Sequence, residues 1–347
     1  MQPMTKAIGV ATLILAPIAG MAASQPDANG DAKEQWHRGI LAGYQSLATG
    51  AGDLSHAAAD YCSAPEQSSR DTLERAWLDA FLAWQQVRFV DFGPVENDNL
   101  AWQFQFWPDP KNLVARKAGY LLTGEDPISA DVIAQSGVAV QGFPMLEYLL
   151  YDEQLNTGNN ALPAPGTCSL LTAVAGHIES NSKQLSEQWQ SFRKHYLATE
   201  QYRDATIRAG MTALEILEER RLAQPMGLRG NGKRSIYAAD AWRSGSSLKT
   251  AEATVLGLKQ SFLPGLKQLL ESSSQPELGQ RIGRQFDEVL EHFPDLHSPM
   301  AELLSRDETF SLLQGFYVDV SQLTTMVNDQ AAVELGVVRG FNSSDGD

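Results

Sequence analysis

The stretch Leu73-Glu74-Arg75-Ala76-Trp77-Leu78-Asp79-Ala80-Phe81-Leu82-Ala83-Trp84-Gln85-Gln86-Val87 sets Leu73, Trp77, Phe81, Trp84 and Val87 at steps of three and four. Such steps stack side chains on one face of a helix, so the segment carries a stripe that must be buried against a neighbour. The spacing returns in Leu171, Val174, Ile178, Leu185, Trp189, Phe192 and Tyr196. It returns again in Phe310, Leu313, Phe316, Val320, Leu323 and Val327, behind a capping-box pattern at Ser305-Arg306-Asp307-Glu308. Strand-like alternation is confined to Trp102-Gln103-Phe104-Gln105-Phe106, which in its proline-containing surroundings reads as an extended loop segment. The fold class is therefore all-α, built from helical bundles.

The length, 347 residues, suits one large or two medium domains, and 43% hydrophobic residues give ample material for a core. Against 42 Asp+Glu stand 27 Lys+Arg, a formal net charge of −15. A nucleic-acid partner is excluded on that balance, since phosphate neutralisation needs a basic face. Ile8 to Ala23 is an apolar run behind Lys6 that ends in small residues, too short for a membrane span of about 20 residues. It has the pattern of a cleaved signal, residues 1–23, which predicts a periplasmic chain with no transmembrane span in its mature form. Loss of Lys6 takes the net charge from −15 to −16. Two cysteines exclude a disulfide-dense miniature or a four-cysteine zinc module. Export to an oxidising compartment and flanking turn residues favour pairing of Cys62 with Cys168, the alternative being two buried thiols.

The helical pattern is interrupted at length twice, at Phe92 to Pro110 and at Pro225 to Ser247. Loops this long in helical domains are often functional, although the rings of the first would also serve to plug a bundle end. Gln141 to Leu150 and Ala209 to Glu218 share a Gly-x-x-x-Leu-Glu frame, which suggests two related halves divided near residues 197–201. The expected units are an N-terminal bundle over 33–198, a C-terminal bundle over 199–340 and a disordered tail over 341–347.

The sequence contains no His-Glu-x-x-His, no Gly-x-Ser-x-Gly, no phosphate loop, no Cys-x-x-Cys and no Gly-x-Gly-x-x-Gly. Its six histidines are scattered and read as surface or packing residues. What remains is charge set in apolar helix faces. Glu147 lies in Phe-Pro-Met-Leu-Glu-Tyr-Leu-Leu-Tyr, where burial demands a cation, a metal or a donor; otherwise it is a first-turn acid behind Pro144. Arg88 follows Trp84 by four and precedes Asp91 by three, a possible surface ion pair. Glu215, Glu218 and Glu219 precede Arg220 and Arg221, the pattern of a solvated face.

Gly142-Phe143-Pro144-Met145-Leu146-Glu147-Tyr148-Leu149-Leu150 resembles the imelysin-family motif, Gly-x-His-x-x-Glu followed by an apolar helix. The likeness extends to Ala76-Trp77 through Arg88, to Phe92-Gly93-Pro94, and to Ala239-Asp240-Ala241-Trp242-Arg243-Ser244-Gly245-Ser246-Ser247-Leu248. The resemblance implies two helical bundles related by duplication, an envelope location, a link to iron or another metal, and a site near the junction. In the motif, His and Glu at i and i+3 share a helical face. Pro144 occupies the histidine position here, so only Glu147 of the pair survives. The expectation is a non-catalytic binding or accessory protein whose ligand site holds Glu147, Glu215, Arg88, Trp84, Trp242 and Arg243. Glu147 would meet a hard cation such as iron or calcium rather than zinc, or Arg88 and Arg243 would meet an anion. Two alternatives belong to other classes: an imelysin-type metallopeptidase, and a scaffold for an envelope transport component.

Overall fold

The computed structural model describes residues 27–124, 127–296 and 298–338. The expected signal over residues 1–23, the expected tail over 341–347 and His297 lie outside the described residues. In the first half of the chain run α1 (Ala28–Ser63), α2 (Gln67–Val87), α3 (Leu100–Phe104), α4 (Leu113–Thr123), α5 (Ala130–Gln135), α6 (Phe143–Tyr151) and α7 (Pro165–Ala198). In the second run α8 (Gln201–Glu215), α9 (Ser247–Gly257), α10 (Leu263–Ser272), α11 (Pro276–Glu291), α12 (Met300–Ser305), α13 (Asp307–Thr325) and α14 (Ala332–Glu334). No strand occurs among the described residues, and none of their helices is long and apolar enough to cross a membrane.

The stripe that announces α2 is its buried face: Leu73, Trp77, Phe81, Trp84 and Val87 are all enclosed. α1 packs on α2 and α7 and also on α10, while α2 crosses α9, so the same helices serve both halves. Trp36 on α1 donates its indole N–H to the Phe262 carbonyl at 2.7 Å, a buried bond between the halves. At the α2–α9 crossing the chain needs glycine, because a Cβ on Gly257 would fall 2.0 Å from the Gln86 carbonyl oxygen. Cys62 and Cys168 are bonded, tying the end of α1 to the start of α7.

Three helices of the second half pass into wider π turns. α8 continues through Ile216–Ala223, α9 joins α10 through Leu258–Phe262, and α13 runs into α14 through Met326–Ala331. A π turn shifts the helical face and often marks a functional segment. A turn at Thr199 and Glu200 separates α7 from α8.

Two local expectations are corrected. Trp102 to Phe104 is helical, and only Gln105 onward is extended. The five-residue alternation also sets Trp102 and Phe106 at i, i+4, and their rings meet with centroids 6.1 Å apart. The capping box at Ser305 is absent as well. Ser305 ends α12 and donates to the Glu302 carbonyl at 2.7 Å, leaving Arg306 to precede α13.

Candidate functional site

The start of α6 lies against the end of α3: a Cβ on Gly142 would sit 2.2 Å from the Phe104 carbonyl oxygen. Phe143 anchors the turn, its ring 5.0 Å from Phe81 and its carbonyl accepting from the Trp77 indole at 3.2 Å. This fixes the helix that presents Glu147. Glu147 lies beyond the first turn of α6 and is 4% exposed, so a first-turn, dipole-stabilised acid is not what it is.

Glu147 Oε1 accepts from the backbone N–H of Ser244 at 2.9 Å and from its hydroxyl at 3.0 Å. No described residue donates to Oε2, and Glu147 lines a cleft of about 1140 Å³. Burial pushes its carboxyl up to about 7, the Ser244 donors and Arg243 opposing the rise and the Asp240 charge adding to it.

The two long interruptions supply much of the cleft wall. From the first come Gln105, Phe106, Trp107 and Asp109; from the second, Lys233, Tyr237, Asp240, Trp242 and Arg243. The rings of the first interruption divide by role. Phe92 and Phe104 pack inward on Trp189 and Trp84, whereas Phe106 and Trp107 face the cleft. Arg243 is held in place by Asp152 at 2.7 Å and Asn112 at 3.0 Å. Its guanidinium lies 4.3 Å from the Trp242 ring centroid and 5.4 Å from that of Tyr148. Tyr237, 73% exposed, stands edge-on to Trp242 at the mouth.

Asp240 belongs both to the floor and to a buried layer beneath it. Its Oδ2 accepts from Arg221 at 2.7 Å and Gln105 at 3.4 Å, and Arg221 also donates to Thr254 at 2.6 Å. Gln105 in turn accepts from the Trp84 indole at 3.1 Å and from Gln85 at 2.7 Å. Arg88 caps the end of α2, its guanidinium 5.7 Å from the Trp107 ring centroid. It makes no ion pair with Asp91. Burial and the nearby Arg221 and Arg220 hold its guanidinium down to about 10, Asp240 opposing, so it stays charged at neutral pH.

Of the residues singled out in the sequence, Glu147, Trp242 and Arg243 meet in the cleft. Trp84 and Arg88 stand behind its wall, reaching it through Gln105 and Trp107. Glu215 is not brought to it, and accepts instead from Asn328 at 3.0 Å in the second half. Sequence reasoning missed Ser244, Asp152, Gln105 and the Arg221–Asp240 pair. Ser244 sits inside the Trp242-Arg243-Ser244-Gly245 stretch and was the most accessible of them. The groups around Glu147 do not fit a metal held directly by the protein. Pro144 offers no donor, Ser244 spends its N–H and O–H on Oε1, and no group of three or more His, Cys, Asp or Glu side chains placed for a metal occurs among the described residues.

The family described as Imelysin matches residues 40–327. The chain belongs to the imelysin family. An imelysin-like protein from Psychrobacter arcticum 273-4 shares its fold with a TM-score of 0.78 at 21% identity, over 91% of this chain and 99% of that one. A protein from Parabacteroides distasonis ATCC 8503, named as an iron-regulated protein A precursor, aligns with a TM-score of 0.72 at 14% identity, over 91% and 97%. At these identities the likeness is one of fold. Comparison with curated proteins gives no match.

Proposed function

We propose that this imelysin-family chain is a non-catalytic periplasmic binding or accessory protein in iron or other metal acquisition, and that its cargo enters the cleft as a chelate carrying its own ligands. The observation that carries this reading is Glu147: one oxygen is fixed by Ser244, and the other is bare at the wall of a cleft of about 1140 Å³. A hard cation takes six or more oxygens, which one carboxylate does not supply. A chelate needs only a hydrogen-bonding contact, an aromatic wall and a fixed cation, and Glu147, Trp107, Trp242 and Arg243 provide these. A carboxyl near neutrality accepts when ionised and donates when protonated, so it meets either kind of ligand group. The apolar N-terminal run supports export, and the name of the Parabacteroides relative supports the link to iron.

Titration calorimetry of the mature chain with ferric citrate tests the assignment. Ferric citrate should bind, and Glu147→Gln should weaken binding about tenfold or more, the size of a lost charge-assisted hydrogen bond. Affinity unchanged in Glu147→Gln removes Glu147 from the site, and no binding of ferric citrate by the wild-type chain overturns the chelate.

A further inference from the structure

The two long loops bring rings to the same cleft, Phe106 and Trp107 from one and Tyr237 and Trp242 from the other. Both indoles already carry a guanidinium. Arg88, which does not line the cleft, lies 5.7 Å from the Trp107 ring centroid, and Arg243 lies 4.3 Å from that of Trp242. A cation over an indole draws on its π density, so a second cation gains little there, whereas an electron-rich ring is attracted to the polarised indole. Tyr237 stands edge-on to Trp242 with centroids 4.9 Å apart and is 73% exposed, which leaves most of its ring open to a guest at the mouth.

Polar groups on the wall narrow the guest further. Gln105, Glu147 and Asp240 are buried there. Gln105 and Asp240 bond each other and the layer beneath, and both oxygens of Asp109 accept from the backbone of α4, Leu113 at 2.7 Å and Val114 at 2.9 Å. Arg243 is engaged by Asp152 and Asn112. No described residue donates to Glu147 Oε2, and a buried carboxylate oxygen without a donor demands one from whatever fills the cleft. The guest must therefore set a donor beside a flat, electron-rich face. A hydroxyl on an aromatic ring does both.

We infer that the cleft selects chelators built on an ortho-dihydroxyphenyl ring, the ring lying against Trp242 and Tyr237 and one hydroxyl donating to Glu147 Oε2. The ring follows from the wall. The paired oxygens rest on the chelate reading above, since a hard cation is held by oxygens and two on adjacent ring carbons close on one ion. In the free guest the O–H donates to Oε2. Once a metal takes that oxygen and its proton has left to water, the protonated carboxyl donates to it instead.

Calorimetry of the mature chain with catechol, with trans-cyclohexane-1,2-diol and with ferric citrate tests this. The two diols offer the same hydroxyls and differ in the ring. Catechol should bind with about millimolar affinity, as its few atoms allow, and about tenfold more tightly than the cyclohexane diol. Tyr237→Ala and Trp242→Leu should each weaken catechol about fivefold or more and leave the cyclohexane diol within about twofold. Tyr237 is exposed, so its variant keeps the fold even where Trp242→Leu does not, as circular dichroism reports. Tyr120→Ala, at an exposed position away from the cleft lining, should leave catechol binding unchanged. Glu147→Gln should weaken both diols by the same factor, and wild-type affinity in that variant overturns the hydroxyl contact. No catechol binding, equal affinity for the two diols, or wild-type catechol affinity in a folded Tyr237→Ala variant overturns the ring site, while ferric citrate binding in the same series keeps the chelate reading. Catechol binding without ferric citrate binding keeps the ring site and overturns the chelate.

Discussion

Glu147 carries its charge against the surroundings, and two hydrogen bonds from Ser244 offset only part of the cost of burial. Its carboxyl is raised from 4.5 to about 7. Between those values the folded chain holds a proton that the unfolded chain has released, so stability falls as pH rises through that window and the loss is complete above it. Asp91, raised to about 6 by burial, contributes a slope of the same sign. Glu147→Gln removes one contribution and leaves the other. In urea unfolding at pH 5 and pH 8 the variant should gain stability relative to wild type at the higher pH, and a pH-independent difference would count against the buried carboxyl. At this scale the sequence was half legible. Glu147 in an apolar run, and Trp242 and Arg243 beside Ser244, are visible as polar residues where few should be. Asp240 and Arg221 are not, since each looks like an ordinary member of a charged helix or loop until burial pairs them.

Among the elements, the α2 stripe was legible because five large side chains repeat at one period and all five are buried. Arg221 was misread as part of a solvated face for the opposite reason. The π turn at Ile216–Ala223 breaks the 3.6 period, so a residue counted outward from Glu215 ends up inward. The alternation at Trp102 failed because five residues satisfy both periods at once. Backbone contact, too, leaves no periodic trace. At the crossing of α2 and α9 the atom opposing a Gly257 side chain is a main-chain oxygen, which cannot rotate aside. Gly257→Ala should therefore cost about 2 to 3 kcal/mol, in the range of overpacked cores. Denaturant midpoints at constant slope measure it, and a loss below about half a kcal/mol would mean that the helices part freely.

At the scale of the whole molecule, α1 is shared. It packs on α2 and α7 of its own half and on α10 of the other, and the buried residues form a cluster that runs through both. The disulfide works on the same helix, closing a loop across 106 residues of sequence. Loop entropy puts its contribution at about 4 to 5 kcal/mol. The double variant Cys62→Ser, Cys168→Ser should lose stability of that order by urea unfolding, whereas a loss under about 1 kcal/mol would show that α1 is held by packing alone. The duplication frame, Gly-x-x-x-Leu-Glu, pointed to Glu215 as the counterpart of Glu147. Sequence similarity between the two frames gave no information on where the second would face, and Glu215 faces Asn328.

The distribution of tryptophans gives the protein a built-in optical gauge. Trp36, Trp77, Trp84 and Trp189 are sealed in the core, while Trp107 and Trp242 line the cleft. The first four emit in the blue and are shielded from collisional quenchers. The latter two are open to iodide and to any coloured solute that enters between them. Trp102, 46% exposed and outside the cleft lining, is quenched in either state, so the change in the iodide-accessible fraction above that constant share reports whether the cleft is filled, without a label and in the unmodified chain.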